Sequence, residues 1–298
     1  MASFFSWFRS LQASIDRISA VCANAVESSS ISFCHMPSSE TLRIRDLVMN
    51  PEIVYIQGPA HLGRLCLAVN RLKTSSSPLG VDTETTGLDA LTCQVRLLQL
   101  GIPGYALVID LDGWRQEGHR QVPWDAQGLR LVKQLLCGNR MKVLQNAAFD
   151  LNFLWAEGIE LGGEIFDTMF ASQVKNNGNP NAKNNLGAIV KRVLHVELPK
   201  ELQKADWSKE LTPEMVEYAG RDATCLPLLQ ERQMQALRET KLSSNTSIEH
   251  VYQLEQDVLP AVARMQHWGF KFDVAAAEAL KQELSATAER LKLEFCEL

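Results

Sequence analysis

From Glu52 onward, short apolar runs rich in β-branched residues alternate with segments whose apolar residues recur every three or four positions. This alternation limits the fold more than any other feature of the chain. Ile53-Val54-Tyr55-Ile56 reads as a strand, and Leu62, Leu65, Val69 and Leu72 give one apolar face to a helix over 61–72. A turn-rich break at 74–78 leads into Leu79-Gly80-Val81-Asp82-Thr83-Glu84, followed by apolar runs at 95–101 and 105–110. These predict three neighbouring strands, two of them adjacent antiparallel candidates. A helix over 124–136, a strand over 141–145 and a helix over 147–157 continue the pattern. Strands interleaved with helices predict an α/β fold, with a mixed β-sheet flanked by helices on both faces.

The remainder reads as a helical C-terminal segment. Leu186, Ile189, Val190, Val193 and Leu194 share one face. Thr212-Pro213-Glu214 is a helix start, combining a capping hydroxyl, proline at the first position and an acid favoured by the dipole. That helix is expected over 213–232, kinked or divided at Pro227. A polar linker at 241–246, a helix over 248–268 ending at Gly269, and an amphipathic helix over 275–298 follow. Residues 1–40 are serine-rich with few acids, and Phe4, Phe8, Leu11, Ile15 and Ile18 recur at helical spacing. A transit peptide, a docking helix and a loosely ordered extension are the three readings, and the extension is favoured. The domain organisation read here is an extension over 1–45, a catalytic domain over 46–240 and a helical segment over 241–298.

Composition removes several chemistries. No run of eighteen apolar residues exists, so no membrane span is expected. The seven cysteines, Cys22, Cys34, Cys66, Cys93, Cys137, Cys225 and Cys296, are scattered and never spaced C-x-x-C, which argues against disulfides and structural zinc. The six histidines lack ligand spacing as well, so a catalytic metal falls to oxygen donors, favouring Mg²⁺ or Mn²⁺. The net charge of −5 counts mildly against a nucleic-acid partner, unless several acids share one metal site. Locally, Lys175, Lys183, Lys191, Arg192, Lys200, Lys204 and Lys209 outnumber Glu197, Glu201 and Asp206.

Three acidic motifs carry the functional reading. On a strand, Asp82 and Glu84 point the same way, at its C-terminal end. Two such acids repel, and a divalent cation resolves the conflict. Taken alone, they are more readily a solvated surface pair. In Asn146-Ala147-Ala148-Phe149-Asp150, Asn146 is a candidate cap and Asp150 falls in the first helical turn, where a dipole-stabilising role competes with a catalytic one. Tyr218 and Asp222 share a helix face at i and i+4, and Gly220 between them would admit another backbone. In combination the motifs offer four acids and a phenol, as two ions about 4 Å apart require for in-line phosphoryl displacement. No P-loop, nucleophile elbow or Cys/His pairing offers a rival.

Asp82-Thr83-Glu84, Asn146…Asp150 and Tyr218…Asp222 resemble the three exonuclease motifs of the DEDD superfamily, in its tyrosine-bearing branch. That branch includes the proofreading domain of DNA polymerase I and ribonuclease D. Leu97-Leu98-Gln99-Leu100, Phe166-Asp167-Thr168-Met169, and Lys200, Gln203 and Asp206-Trp207 are similar to the supporting text, and the likeness covers about 53–232. Beyond it, Tyr252-Gln253-Leu254-Glu255, Leu259-Pro260 and Met265…Trp268-Gly269-Phe270…Asp273 resemble the start of a family A polymerase region. Palm motifs do not occur in these 298 residues, so polymerisation is not expected of them.

The resemblance implies a ribonuclease H-like fold and two Mg²⁺ or Mn²⁺ ions held by Asp82, Glu84, Asp150 and Asp222. Tyr218 would hydrogen-bond the attacking water. Thr83, Thr85, Leu88, Asn146 and Phe149 would line the pocket for the last nucleotides. It also implies 3′→5′ removal of nucleoside 5′-monophosphates from single-stranded DNA ends, with a DNA polymerase as a partner and the nucleoid as the place of action. Asp167 would support the site rather than bind metal. Arg221 departs from the small residue usual before the last aspartate, and would meet phosphate or solvent. A ribonuclease D-like exoribonuclease is the runner-up, and a silent nucleic-acid-binding scaffold is the third reading, opposed by the intact carboxylates.

Overall fold

The structure, a computed structural model, describes residues 39–176, 179, 181–199, 205–242, 246–269 and 271–296. The expected helix carrying Phe4 to Ile18, and Lys200, Gln203, Lys204 and Phe270 of the motifs above, lie outside them. Six strands, β1 (Glu52–Ile56), β2 (Leu79–Thr85), β3 (Val95–Ile102), β4 (Tyr105–Asp110), β5 (Lys142–Leu144) and β6 (Ile165–Asp167), form one mixed sheet in the order β1-β4-β3-β2-β5-β6. β2, β3 and β4 are antiparallel neighbours, while β1, β5 and β6 join in parallel. The helices are α1 (Ser39–Met49), α2 (Leu62–Thr74), α3 (Leu129–Cys137), α4 (Ala147–Ala156), α5 (Thr168–Lys175), α6 (Leu186–Val193), α7 (Pro213–Glu239), α8 (Glu249–Trp268) and α9 (Val274–Cys296). The expected mixed sheet with flanking helices and a helical C-terminal segment is what the chain adopts. Among the described residues, no helix is long and apolar enough to cross a membrane.

Strand periodicity sorts the side chains into two layers. Leu79 and Val81 of β2, Leu98 and Leu100 of β3, and Leu107 and Ile109 of β4 enter one core with α2, α3 and α4. The alternate residues Leu97 and Val108 face the other way, against Met215, Val216 and Ala219 of α7. Gly80, Asp82 and Glu84 therefore share the α7 side, and Thr83 belongs to the α4 side.

Helix α7 approaches the sheet more closely than side chains would permit. A Cβ on Gly80 would lie 2.1 Å from the Ala223 carbonyl oxygen, and one on Gly101, its partner across β2–β3, would lie 2.4 Å from it. Pro227 stands four residues after Ala223 and has no N–H to offer its carbonyl. That oxygen is directed at the two glycines, and the helix continues through Pro227 to Glu239 instead of dividing there. The expected close backbone approach at Gly220 is corrected likewise, since the neighbour there is the Ile53 side chain, 2.7 Å from a built Cβ.

Two further expectations change. The helix predicted from 124 begins at Leu129, because Gly128 has φ of 94° and the Trp124 indole is tied to the Glu157 carbonyl at 2.8 Å. Asn146 does not cap α4 through its side chain, and its backbone is left-handed with φ of 62°. Asp167 supplies that cap. Its carboxylate accepts from Asn146 N at 3.1 Å and Ala147 N at 2.8 Å, and also from Met169 N at 2.7 Å and Phe170 N at 3.4 Å at the start of α5. One buried aspartate thus satisfies free donors at two helix starts. Asp167→Ala should destabilise the protein by about 1–4 kcal/mol, twice the usual range for one cap, read as a lower midpoint in urea unfolding.

The described chain divides into two compact units, up to Ala263 and from Arg264. This division by compactness falls later than the sequence-based boundary at 240/241. In the first unit, α8 reaches back to β6: Asp167 N donates to Gln256 Oε1 at 2.9 Å and to Tyr252 Oη at 3.2 Å, and Tyr252 Oη donates to Gln256 Oε1 at 2.8 Å.

Candidate active site

The carboxylates of Asp82, Glu84 and Asp222 converge, with one oxygen from each lying within 4.8 Å of the others. Two come from the C-terminal end of β2, where alternation puts them on the α7 side. The third comes from α7, brought within reach by the glycine contact at Gly80 and Gly101. Tyr218, one turn earlier on the same helix face, is close enough to Asp222 for that carboxylate to act on its phenol. Its ring leans on Trp207 with centroids 6.3 Å apart. Burial and the Asp222 charge push the Tyr218 phenol far above its ordinary value, so it is a neutral hydrogen-bonding group and not a base.

Asp150 approaches from the other face of the sheet. It is buried, and Thr83 Oγ1 donates to its Oδ1 at 2.6 Å. It is outside the three-carboxylate group, yet close enough for its charge to act on Glu84 and for Asp82 to act on it. Thr83, expected to line the pocket, is 6% exposed and its hydroxyl is committed to Asp150. Thr85 gives its hydroxyl to the Gly87 carbonyl at 2.6 Å. Leu88 is 88% exposed on the loop after β2. Phe149 is half-buried with its ring 4.9 Å from Phe153, and Asn146 is at the left-handed entry to α4. Arg221 does not face open solvent, because Nε donates to the Met49 carbonyl at 3.1 Å and Nη2 pairs with the Glu217 carboxylate at 3.1 Å.

The electrostatics show what the group needs. Burial raises Asp82 to about 7. Burial, with the charges of Asp82, Asp222 and Asp150, raises Glu84 to about 10. Asp150 and Asp222 are also raised, chiefly by burial and then by Asp82. Clustered acids that resist ionisation are a donor set for a divalent cation, and hard oxygen ligands fit Mg²⁺ or Mn²⁺. Because these acids titrate higher folded than unfolded, the stability they permit is full below about 4 and declines as pH rises through about 7 at Asp82 and about 10 at Glu84. Mg²⁺ should therefore raise the melting temperature more at pH 8 than at pH 5, as measured by differential scanning fluorimetry with EDTA controls.

Sequence reasoning missed the roles of Thr83, Gln256 and Tyr252. The helical i, i+4 spacing of the last two was visible, but their target on β6 was not.

The family model described as 3′-5′ exonuclease matches residues 53–237. The chain is 28% identical over 245 residues to DNA polymerase I of Synechocystis sp., covering 76% of this chain and 23% of that protein. It is 28% identical over 134 residues to DNA polymerase I of Bacillus subtilis, covering 44% of this chain and 14% of that one. The chain thus spans under a quarter of the length of these relatives. Among solved structures, Brucella melitensis NrnC bound to pGG superimposes with a TM-score of 0.57 at 22% identity, covering 75% of this chain and 98% of that one. Escherichia coli RNase D, an exoribonuclease involved in structured RNA processing, gives 0.52 at 22% identity, covering 74% and 52%. These two likenesses are of fold. The matched span contains β2 to β6, all of β1 but Glu52, and every acid brought to the end of β2, and on that match the chain belongs to the 3′-5′ exonuclease family.

Proposed function

We propose that this chain hydrolyses the terminal phosphodiester at the 3′ end of single-stranded DNA, releasing nucleoside 5′-monophosphates, in the manner of a proofreading exonuclease. The observation that carries the reading is the convergence of Asp82, Glu84 and Asp222 beside a neutral, half-buried Tyr218. Asp82, Glu84 and Asp222, with Asp150 behind Thr83, would hold two divalent ions, which when bound supply charge neutralisation at the reacting phosphate and lower the pKa of water. The chain's own residues do the rest. Tyr218, held by Asp222 and Trp207, orients the attacking water by hydrogen bonding. Leu88 and Phe149 offer apolar surface to the terminal base, Thr85 and Asn146 border it, and Thr83 keeps the Asp150 carboxylate in one orientation. Stacking on such surfaces tolerates any base and favours frayed single strands.

DNA is preferred as substrate because the sequence relatives are DNA polymerases I. The likeness in fold to NrnC and RNase D supports an exoribonuclease as the second reading. A 5′-labelled DNA strand and its RNA counterpart, incubated separately with Mg²⁺, distinguish them: one-nucleotide steps on DNA with slower loss of RNA support the first, and the reverse supports the second. Tyr218→Phe should slow mononucleotide release by roughly 10- to 100-fold, the usual loss when a group supporting a metal site is removed. Single-turnover kinetics would measure it, and an unchanged rate would remove the phenol from the chemistry.

A further inference from the structure

Gln99 of β3 has unusual surroundings. It is 0% exposed, yet neither its carboxamide nitrogen nor its oxygen has a hydrogen-bond partner. Buried amides are normally bonded, so one left wholly unpaired calls for a reason. The sheet register supplies its location. Gln99 on β3 stands directly opposite Asp82 on β2, while its neighbours on the same face, Leu97 and Gly101, stand opposite Glu84 and Gly80. Leu97 packs under α7 with Ala219, and Gly101 lies against Ala223. The Gln99 side chain is thus on the α7 side of the sheet, the side of Asp82, Glu84 and Asp222. Residues directly opposed in an antiparallel pair have Cβ atoms about 4.5–5.5 Å apart, within reach of a long side chain. Asp82 itself takes the Thr83 backbone N–H and has no side-chain donor among the described residues.

We infer that Gln99 is a positioning residue whose carboxamide N–H group orients the Asp82 carboxylate as a metal ligand from behind. The inference rests on the nuclease reading and deepens it. The amide bonds neither the rest of the fold nor Asp82 in this structure, so the contact inferred is one that forms as Asp82 takes its place as a metal ligand. An apolar side chain of the same length would fill the space at no desolvation cost. A carboxylate that holds a metal gains from an oriented donor behind it, and Gln99 carries the buried amide that stands opposite Asp82 on the face of the acidic group. Gln99 touches neither substrate nor reacting atoms.

The test compares the full wild-type chain with Gln99→Met and Asp82→Ala. Mn²⁺ binding is measured calorimetrically without nucleic acid, and melting temperature is measured in EDTA. Gln99→Met should melt in EDTA at or above the wild-type temperature while its Mn²⁺ affinity falls roughly 10-fold or more, the usual loss when a ligand's supporting partner is removed. Wild-type Mn²⁺ affinity in Gln99→Met overturns the inference. So does a lower melting temperature in EDTA, or failure to fold, since either makes the amide structural. Asp82→Ala separates this from the parent reading: if it binds Mn²⁺ as well as wild type, the nuclease site itself fails, whereas wild-type affinity in Gln99→Met alone removes only the role of Gln99.

Discussion

Asp82→Ala should lower mononucleotide release from a 5′-labelled single strand by at least about 1,000-fold, the scale on which removing one preorganised charge-stabilising group acts. Asp82 is the acid every other member of the group feels: its charge acts on Glu84, Asp150, Asp222 and Tyr218. No neighbour can replace it, because Thr83 on one side is committed to Asp150 and Glu84 already contributes an oxygen of its own. The same change should leave the metal-free protein as stable as wild type, or more so, since it removes a carboxyl whose ionisation is opposed by burial. A dead enzyme that melts no earlier in EDTA is therefore the expected pairing. Wild-type digestion by Asp82→Ala would end the assignment of this site.

Gly101→Ala is the second large effect, and it acts through the backbone. The added methyl would lie 2.4 Å from the carbonyl carbon and oxygen of Ala223 and 2.8 Å from Thr224 N, none of which can rotate away. Helix α7 must move outward, at a cost of about 3 kcal/mol, the upper end of ordinary overpacking. For a chain of this size that corresponds to a fall of about 6–12 °C in melting temperature. Because α7 carries Tyr218 and Asp222, activity should fall with it at temperatures where the protein remains folded. Gly63→Ala is the control. Nothing lies within 4 Å of a Cβ there, in helix α2, so no loss of stability is expected. Equal melting temperatures for the two variants would show that the α7–sheet contact is not tight.

Local rules carried much of the fold and part of the site. The period of two along β2 placed Asp82 and Glu84 together, and helical spacing placed Tyr218 with Asp222. Thr212 and Pro213 marked the start of α7, where the Thr212 hydroxyl accepts from Met215 N at 3.3 Å. Each of these is settled within a few residues of chain, by backbone geometry that does not depend on distant neighbours. Local rules did not decide between the two outcomes expected at Pro227: α7 is not divided there, and the carbonyl that the proline leaves free is accommodated over two glycines on other elements.

Sequence alone determined which residue types are available for chemistry, that a mixed sheet carries them, and which of them share one strand or helix face. Tertiary structure alone decided that Asp150 meets its sheet partner through Thr83, that Asp167 and not Asn146 caps α4, and that Gln99 is sealed opposite Asp82 without a partner. The physical reason is that a side chain's direction follows from its own φ and ψ. Its burial, its hydrogen-bond partner and the field it feels follow from strands and helices that reach it only when the sheet closes in the order β1-β4-β3-β2-β5-β6.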